Sequence, residues 1–303
     1  MKTLIVIGGP TASGKTDLAI RLAQYFDTQI ISYDSRQFYR EIPVVSAQPT
    51  SEQLSKAVHH CIGFRSISEP LNAADFALMA DRILSEVFEI SDVCIAVGGS
   101  GMYAKAWIEG LDNIPSAPQE LRNSLEVIWQ TQGIISLQKM LKRLDPDYYQ
   151  RVDLSNHRRL IRALEVCIHT GRPYSGYLKK DHTSVKNFRT VFLGINPDRQ
   201  WLHRQINLRV EGMIARGLFE EVMPLYSQRG LTPLQTVGCR EIFDMMDGKL
   251  SRDECIEQIK AHTRQYARRQ ITWYKKVPDI IWLKQTPARE AIRSLAEKLI
   301  SDI

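Results

Sequence analysis

The chain is predicted to form an α/β fold, a phosphate-loop type parallel sheet flanked by helices with a helical subdomain inserted into it. Three observations carry this. The stretch Gly9-Pro10-Thr11-Ala12-Ser13-Gly14-Lys15-Thr16 fits G-x-x-x-x-G-K-[ST] at every constrained position. Apolar, β-branched runs suited to buried parallel strands recur at Leu4–Ile7, Val93–Val97 and Val191–Gly194, with amphipathic helical patterns among them. From Asn113 to about Lys186 only helical patterns appear. The expected class is therefore P-loop NTPase-like. Residues 1–112 are read as the first part of the core, 113–188 as a helical insertion, and 189–303 as the rest of the core with basic C-terminal helices.

The first strand and its loop set the chemistry. The glycines let the backbone curl so that its N–H groups point at a di- or triphosphate. Lys15 adds a point charge, Thr16 offers a hydroxyl to Mg²⁺, and the following helix adds its positive end. In that helix Leu18, Ala19, Leu22 and Ala23 share the face that packs on a sheet. The stretch is thus a polyphosphate site.

Composition narrows the partners. At 303 residues and 44% apolar, the chain can bury a substantial core, and no apolar run approaches the roughly 18 residues of a membrane span. The chain opens on its first strand, so no targeting peptide is expected. Cys61, Cys94, Cys167, Cys239 and Cys255 are odd in number and form no C-x-x-C, which points to a reducing cytoplasm rather than a disulfide framework or zinc site. Net charge is +6 with an isoelectric point near 9.0, which favours a polyanionic partner.

A short strand, Gln29–Ser32, leads to Tyr33-Asp34-Ser35-Arg36-Gln37. Ligands collect at the carboxyl ends of parallel strands, so Asp34 is placed to accept a proton from an incoming nucleophile; a helix-capping role is the alternative. Arg36 and Gln37 suit phosphate or base edges, or simply solvent. Residues 41–70, rich in turn formers, read as a mobile excursion over the site. Adjacent His59 and His60 cannot share a face, which argues against a metal role. Asn72 caps a helix with the stripe Phe76, Met79, Ala80, Ile83 and Val87. The strand Val93–Val97 then runs into Gly98-Gly99-Ser100-Gly101, without a Walker B aspartate. Glycines there permit close approach, and Ser100 either bonds an occupant of the site or sits in a plain turn.

In the insertion, Leu121, Leu125 and Ile128 mark one helix, and Leu137, Met140, Leu141 and Leu144 a second. A third, Asn156–Thr170, stops at Gly171 and Pro173 and carries Arg158, Arg159 and Arg162, with Arg158 and Arg162 on one face. A solvated basic face is as consistent with this as an RNA contact. Beyond Val191–Gly194, a helix from Asp198 to Arg216 carries Arg204 and Arg209, a type that folds over leaving phosphates in phosphoryl-transfer enzymes. Ser251-Arg-Asp-Glu254 is a capping box for a long helix. That helix has no Asp or Glu between Lys260 and Val277 but seven basic residues and interleaved Tyr266, Trp273 and Tyr274, a pattern that favours a nucleic-acid backbone. A strand Ile280–Leu283 and a terminal helix begun by Thr286-Pro287 close the chain. Residue chemistry leaves two classes open: a small-molecule or nucleoside kinase, and a group transferase acting on nucleic acid.

The sequence resembles the tRNA dimethylallyltransferase family. The resemblance rests on Gly9–Thr16, Asp34–Gln37 with Tyr39-Arg40, Asn72–Phe76, Val97–Tyr103, Arg159–Val166 with Thr170-Gly171, Val237–Glu241 and Thr263–Trp273. It implies transfer of a dimethylallyl group from dimethylallyl diphosphate to N6 of adenosine 37 in the anticodon stem-loop of tRNA, by a cytoplasmic monomer. Asp34, Lys15 and Thr16 become the catalytic set. Gly9 through Thr16 with Arg209 hold diphosphate, and Thr16 holds Mg²⁺. Asp34, Ser35, Arg36, Gln37, Ser100, Arg122, Arg158, Arg159, Leu160, Ile161, Arg162, Gln235, Thr236, Val237, Gly238, Cys239 and Arg240 align with segments that touch tRNA in the family. An adenylate isopentenyltransferase acting on free nucleotides fits the same residues. The sequence departs from the family pattern at Tyr33, usually Ala, where it stands to crowd the pocket beside Asp34. It departs also at Val44–Thr50, which lacks a usual glycine and lysine, at Ser100 for Thr and at Cys239 for Tyr.

Overall fold

A computed structural model describes residues 1–178 and 186–301. Over the described residues the chain forms two compact units, one of residues 1–108 with 186 onward, the other of 109–178.

The larger unit is a six-stranded parallel sheet with helices on both faces. In chain order its elements are β1 (Thr3–Gly8), α1 (Lys15–Phe26), β2 (Ile30–Ser32), α2 (Ser51–Leu54), β3 (His59–His60), α3 (Ala73–Ile90), β4 (Val93–Val97) and α4 (Gly101–Ile108). Strand order is β3-β2-β4-β1, and then two later strands, β5 (Arg189–Ile195) and β6 (Ile281–Leu283). Residues alternate across β1: Leu4 and Val6 enter one apolar cluster, Ile5 and Ile7 the other. Ile5 lies opposite Ile95 of β4 and Val191 of β5, so the middle of the sheet is apolar on both faces. At the carboxyl ends this order sets the loop after β1 between those after β4 and β5, with the loop after β2 beyond that of β4.

Several expectations are corrected. The excursion 41–70 is built into the sheet edge: β3 pairs with β2, α2 carries a Thr50–Gln53 capping box, and Ile42, Val45, Cys61 and Ile67 are buried. β5 starts earlier than its apolar run because Arg189 pairs with Thr3. No helix starts at Thr286. Its hydroxyl lies 3.3 Å from the carbonyls of Ser13 and Gly14, and the last helix begins later, at Ile292.

The smaller unit holds α5 (Gln119–Gln132), α6 (Ile134–Leu144), α7 (Pro146–Tyr149) and α8 (His157–Thr170). Leu125, Leu137, Leu141, Leu160, Ile161 and Leu164 form its core. Glu165, 3% exposed, accepts from Arg122 Nε at 2.8 Å and from Arg162 Nη1 at 2.5 Å. The two arginine side chains keep 41% and 33% of their surface, so they rehydrate once the carboxylate is gone. Glu165→Ala is therefore expected to cost about 1–3 kcal/mol, less than a fully buried pair broken from one side. Chemical denaturation of the full-length variant checks this.

The larger unit continues with α9 (Arg199–Ala215), α10 (Leu218–Val222), α11 (Cys239–Met246), α12 (Arg252–Tyr274) and α13 (Ile292–Ser301). A Cβ at Gly8 would run into the ring of Tyr274, which is fully buried. Gly8→Ala is expected to destabilise by about 1–3 kcal/mol through overpacking, read as a lower urea midpoint.

Candidate active site

The phosphate loop leaves β1 through Gly9 at φ +141°, and Gly14 at φ +84° delivers it into α1. Both conformations favour glycine. Gly14 caps α1 without a side-chain acceptor, so the first-turn N–H groups stay available to an anion. Ser13 Oγ is buried with no hydrogen-bond partner, so it too can bond a polar ligand. Lys15 Nζ donates to Pro10 O at 2.5 Å. Burial pulls its pKa down to about 7, the Asp34 charge opposes this, and Arg209 adds to it. Arg209 arrives from α9 and donates from Nη1 to Thr11 Oγ1 at 3.1 Å. Burial lowers its pKa too, again against the pull of Asp34. Two buried cations that feel each other's charge suit a diphosphate.

Asp34 stands two residues beyond β2. The strand order alone would leave it across the β4 loop from the phosphate loop, and the glycines of that loop close the distance. Its Oδ2 lies 3.2 Å from where a Cβ of Gly99 would stand, and its Oδ1 accepts from Arg36 N at 3.2 Å. Tyr33 does not enter the site. It is fully buried, with its ring against Gly98 and its hydroxyl donating to Ile7 O at 2.8 Å, 3.0 Å from the Tyr274 hydroxyl.

Around Asp34 the neighbouring segments interlock. Ser100 Oγ accepts from Ser35 N and bonds Ser35 Oγ, each at 3.0 Å. The Arg36 guanidinium donates to Thr232 O at 2.9 Å and Pro233 O at 3.2 Å, which brings residues 235–240 alongside. Gly238 at φ +96° receives Glu241 Oε2 on its N–H, and a Cβ there would strike Val45. Gln235, Thr236 and Val237 are half-buried, Cys239 is buried and Arg240 is exposed. In the Val44–Thr50 segment, Gln48 Nε2 donates to Gln37 O and Tyr39 O, and Gln37 Nε2 to Ala47 O. In the smaller unit Arg158 and Arg159 are exposed, Arg122 and Arg162 clasp Glu165, and Leu160 and Ile161 are core residues.

The long helix α12 plays a part that its charge pattern hides. Three of its basic residues face protein: Lys260 pairs with Glu257 and Glu211, His262 with Glu241, and Arg264 with Asn207. Arg268, Arg269, Lys275 and Lys276 are exposed. The other face, Tyr266, Gln270, Trp273 and Tyr274, lies on the catalytic loops. Tyr266 bonds Ser100, and both burial and the Asp34 charge push its hydroxyl up. Trp273 occupies the space a Cβ would need at Gly101, and Tyr274 OH donates to Gly98 O at 3.2 Å. Their spacing of four, seven and eight was visible in the sequence, but their partners were not.

Thr16 in the first turn of α1 and Asp34, whose charge reaches Lys15, offer oxygens beside the cradle. Among the described residues no three His, Cys, Asp or Glu converge on a metal position. This set suits a hard cation bound mostly by substrate oxygens and water. A cavity of about 580 Å³ with Trp201 and Trp282 in its walls opens at the ends of β5 and β6, on the side of β1 away from Asp34.

The profile of the IPP transferase family matches residues 37–277. A tRNA dimethylallyltransferase of Christiangramia forsetii is 44% identical over 281 residues, 93% of each chain. The chain belongs to the IPP transferase family. The structure of a tRNA isopentenylpyrophosphate transferase from Bacillus halodurans superposes with a TM-score of 0.71 at 30% identity, over 99% of this chain and 96% of that one. A eukaryotic dimethylallyltransferase acting on tRNA superposes at 0.76 with 27% identity, over 100% of this chain and 77% of that one. The family membership and the parallel sheet with its phosphate loop agree on a P-loop NTPase-like fold.

Proposed function

We propose that this protein transfers a dimethylallyl group from dimethylallyl diphosphate to N6 of adenosine 37 in tRNA, releasing diphosphate. The observation that carries the reading is the Asp34 carboxylate poised over Gly99, within electrostatic reach of Lys15 and Arg209. A cationic cradle beside a carboxylate suits a displacement in which negative charge grows on phosphate while an amine loses a proton. The N6 lone pair forms the new bond to C1 of the prenyl group, and the C1–O bond breaks with its electrons going to diphosphate. The N6 proton passes to Asp34.

Lys15, Arg209 and the first-turn amides of α1 take up the charge on the leaving group. Thr16 would hold magnesium together with the substrate diphosphate, and the ion would supply further positive charge there. A strand β4 that is followed by glycine rather than aspartate fits a site that moves carbon and leaves phosphorus intact. The target adenosine must leave the anticodon stack to reach Asp34. Ser35, Arg36, Gln37, Ser100 and residues 235–240 are disposed to meet it, while exposed Arg158, Arg159 and Arg240 are suited to tRNA phosphates. Among the described residues no helix is long and apolar enough to cross a membrane, and all five cysteines are free and buried. A monomer in a reducing cytoplasm suits this picture.

Incubation with dimethylallyl diphosphate, magnesium and unmodified tRNA, followed by nucleoside mass spectrometry, tests the reading. An adenosine heavier by one isoprene unit is expected at position 37. Phosphate transferred from ATP to a small acceptor would favour a kinase instead, and prenylation of free adenylate alone would favour the nucleotide-directed enzyme.

A further inference from the structure

We propose that Gln270 is the positioning residue that sets the span between the diphosphate cradle and the Asp34 carboxylate; the inference rests on the reading above. Gln270 is 4% exposed on α12. Its Oε1 accepts from Thr11 N at 2.8 Å and its Nε2 donates to Gly99 O at 3.0 Å. Those partners belong to different loops, one after β1 and one after β4. A primary amide accepts and donates from one flat group, so a single side chain joins the two loops at fixed separation.

Both ends of the bridge touch the reacting groups' supports. Thr11 also receives Arg209 through its hydroxyl at 3.1 Å. A Cβ at Gly99 would fall on Gln270 Nε2 while standing 3.2 Å from Asp34 Oδ2, so amide and carboxylate approach Gly99 from the same side. Arg209, Thr11, Gln270 and Gly99 are thus linked by hydrogen bonds, and the Asp34 carboxylate lies beside the Gly99 end of the chain. Because Thr11 N already donates to Gln270, the diphosphate is left to the later amides of the loop.

Two full-length variants test the assignment. Gln270→Met keeps the length and removes both hydrogen bonds. Its single-turnover prenyl transfer is expected to fall on the order of 10²-fold, the loss that goes with a misplacement of about 1 Å. Its affinities for inorganic pyrophosphate and for tRNA should stay near wild type. Gln270→Glu accepts from Thr11 N but donates to Gly99 O only when protonated, so its rate relative to wild type should rise as pH is lowered. Lys15, Arg209, Asp34 and Tyr266 titrate around the same site in wild type and variants alike, which is why the ratio is the readout. A wild-type rate in Gln270→Met would overturn the proposal, as would a loss of pyrophosphate affinity equal to the loss of rate. If Gln270→Met does not fold, the Gln270→Glu ratio decides, and a ratio flat with pH counts against a positioning role. Wild-type protein that binds pyrophosphate yet never prenylates tRNA would instead sink the function on which this rests.

Discussion

Replacing Asp34 with alanine is expected to slow prenyl transfer by roughly 10²–10⁴-fold, the usual contribution of a positioned general base, while tRNA affinity is largely kept. The carboxylate has few structural duties to confound the result. Of its side-chain hydrogen bonds within the protein, one is to Arg36 N at 3.2 Å, and that N–H is at a half-exposed position. The residue faces a site bounded by Lys15, Arg209 and Tyr266, each of which feels its charge. Single-turnover rates with saturating donor and tRNA, set beside filter-binding affinities, separate the two effects. Turnover retained in Asp34→Ala would remove this carboxylate from the mechanism.

Lys15→Ala is expected to lose roughly 10²–10³ in rate, as removal of one preorganised charge from a developing anion does. The lysine is held on Pro10 O at 2.5 Å in a site that pulls its pKa down to about 7. A bound diphosphate reverses that pull and restores the full charge where the leaving group needs it. The variant should therefore also bind inorganic pyrophosphate more weakly, whereas Asp34→Ala should not. Product inhibition by pyrophosphate measures the difference. Equal inhibition of Lys15→Ala and wild type would mean that the anion sits elsewhere.

These expectations draw on features of different legibility. The phosphate loop, β1 and β4 are local patterns, a fixed spacing and an apolar run, and they read directly from the chain. The α12 capping box and the Asn72 cap were equally local. The edge strand β3 escaped notice because His59 and His60 are half-buried polar residues, and only pairing with Ile30 and Ile31 makes them a strand. Arg122 and Arg162 resemble solvent-facing cations until Glu165 is placed between them. The Arg162–Glu165 spacing was a legible helix pair, but the burial of the glutamate came from packing in the smaller unit. Tyr33 stood to crowd the pocket because it precedes Asp34, yet alternation along the extended chain turns its ring to the core, where Tyr274 receives it. Gln270 carried no motif of its own. Its role depends on Thr11 and Gly99, both far away in sequence, and only the stacking of α12 on the carboxyl ends of β1 and β4 brings them together.

The central claim is that the glycine loop holds the anionic head of the prenyl donor while Asp34 faces the carbon to be attacked. A crystal structure with an unreactive thio-analogue of dimethylallyl diphosphate tests it most directly. The diphosphate should lie in the Gly9–Thr16 cradle between Lys15 and Arg209, with C1 turned toward Asp34. A head group seated in the cavity by Trp201 and Trp282, or a C1 pointing away from Asp34, would contradict the account.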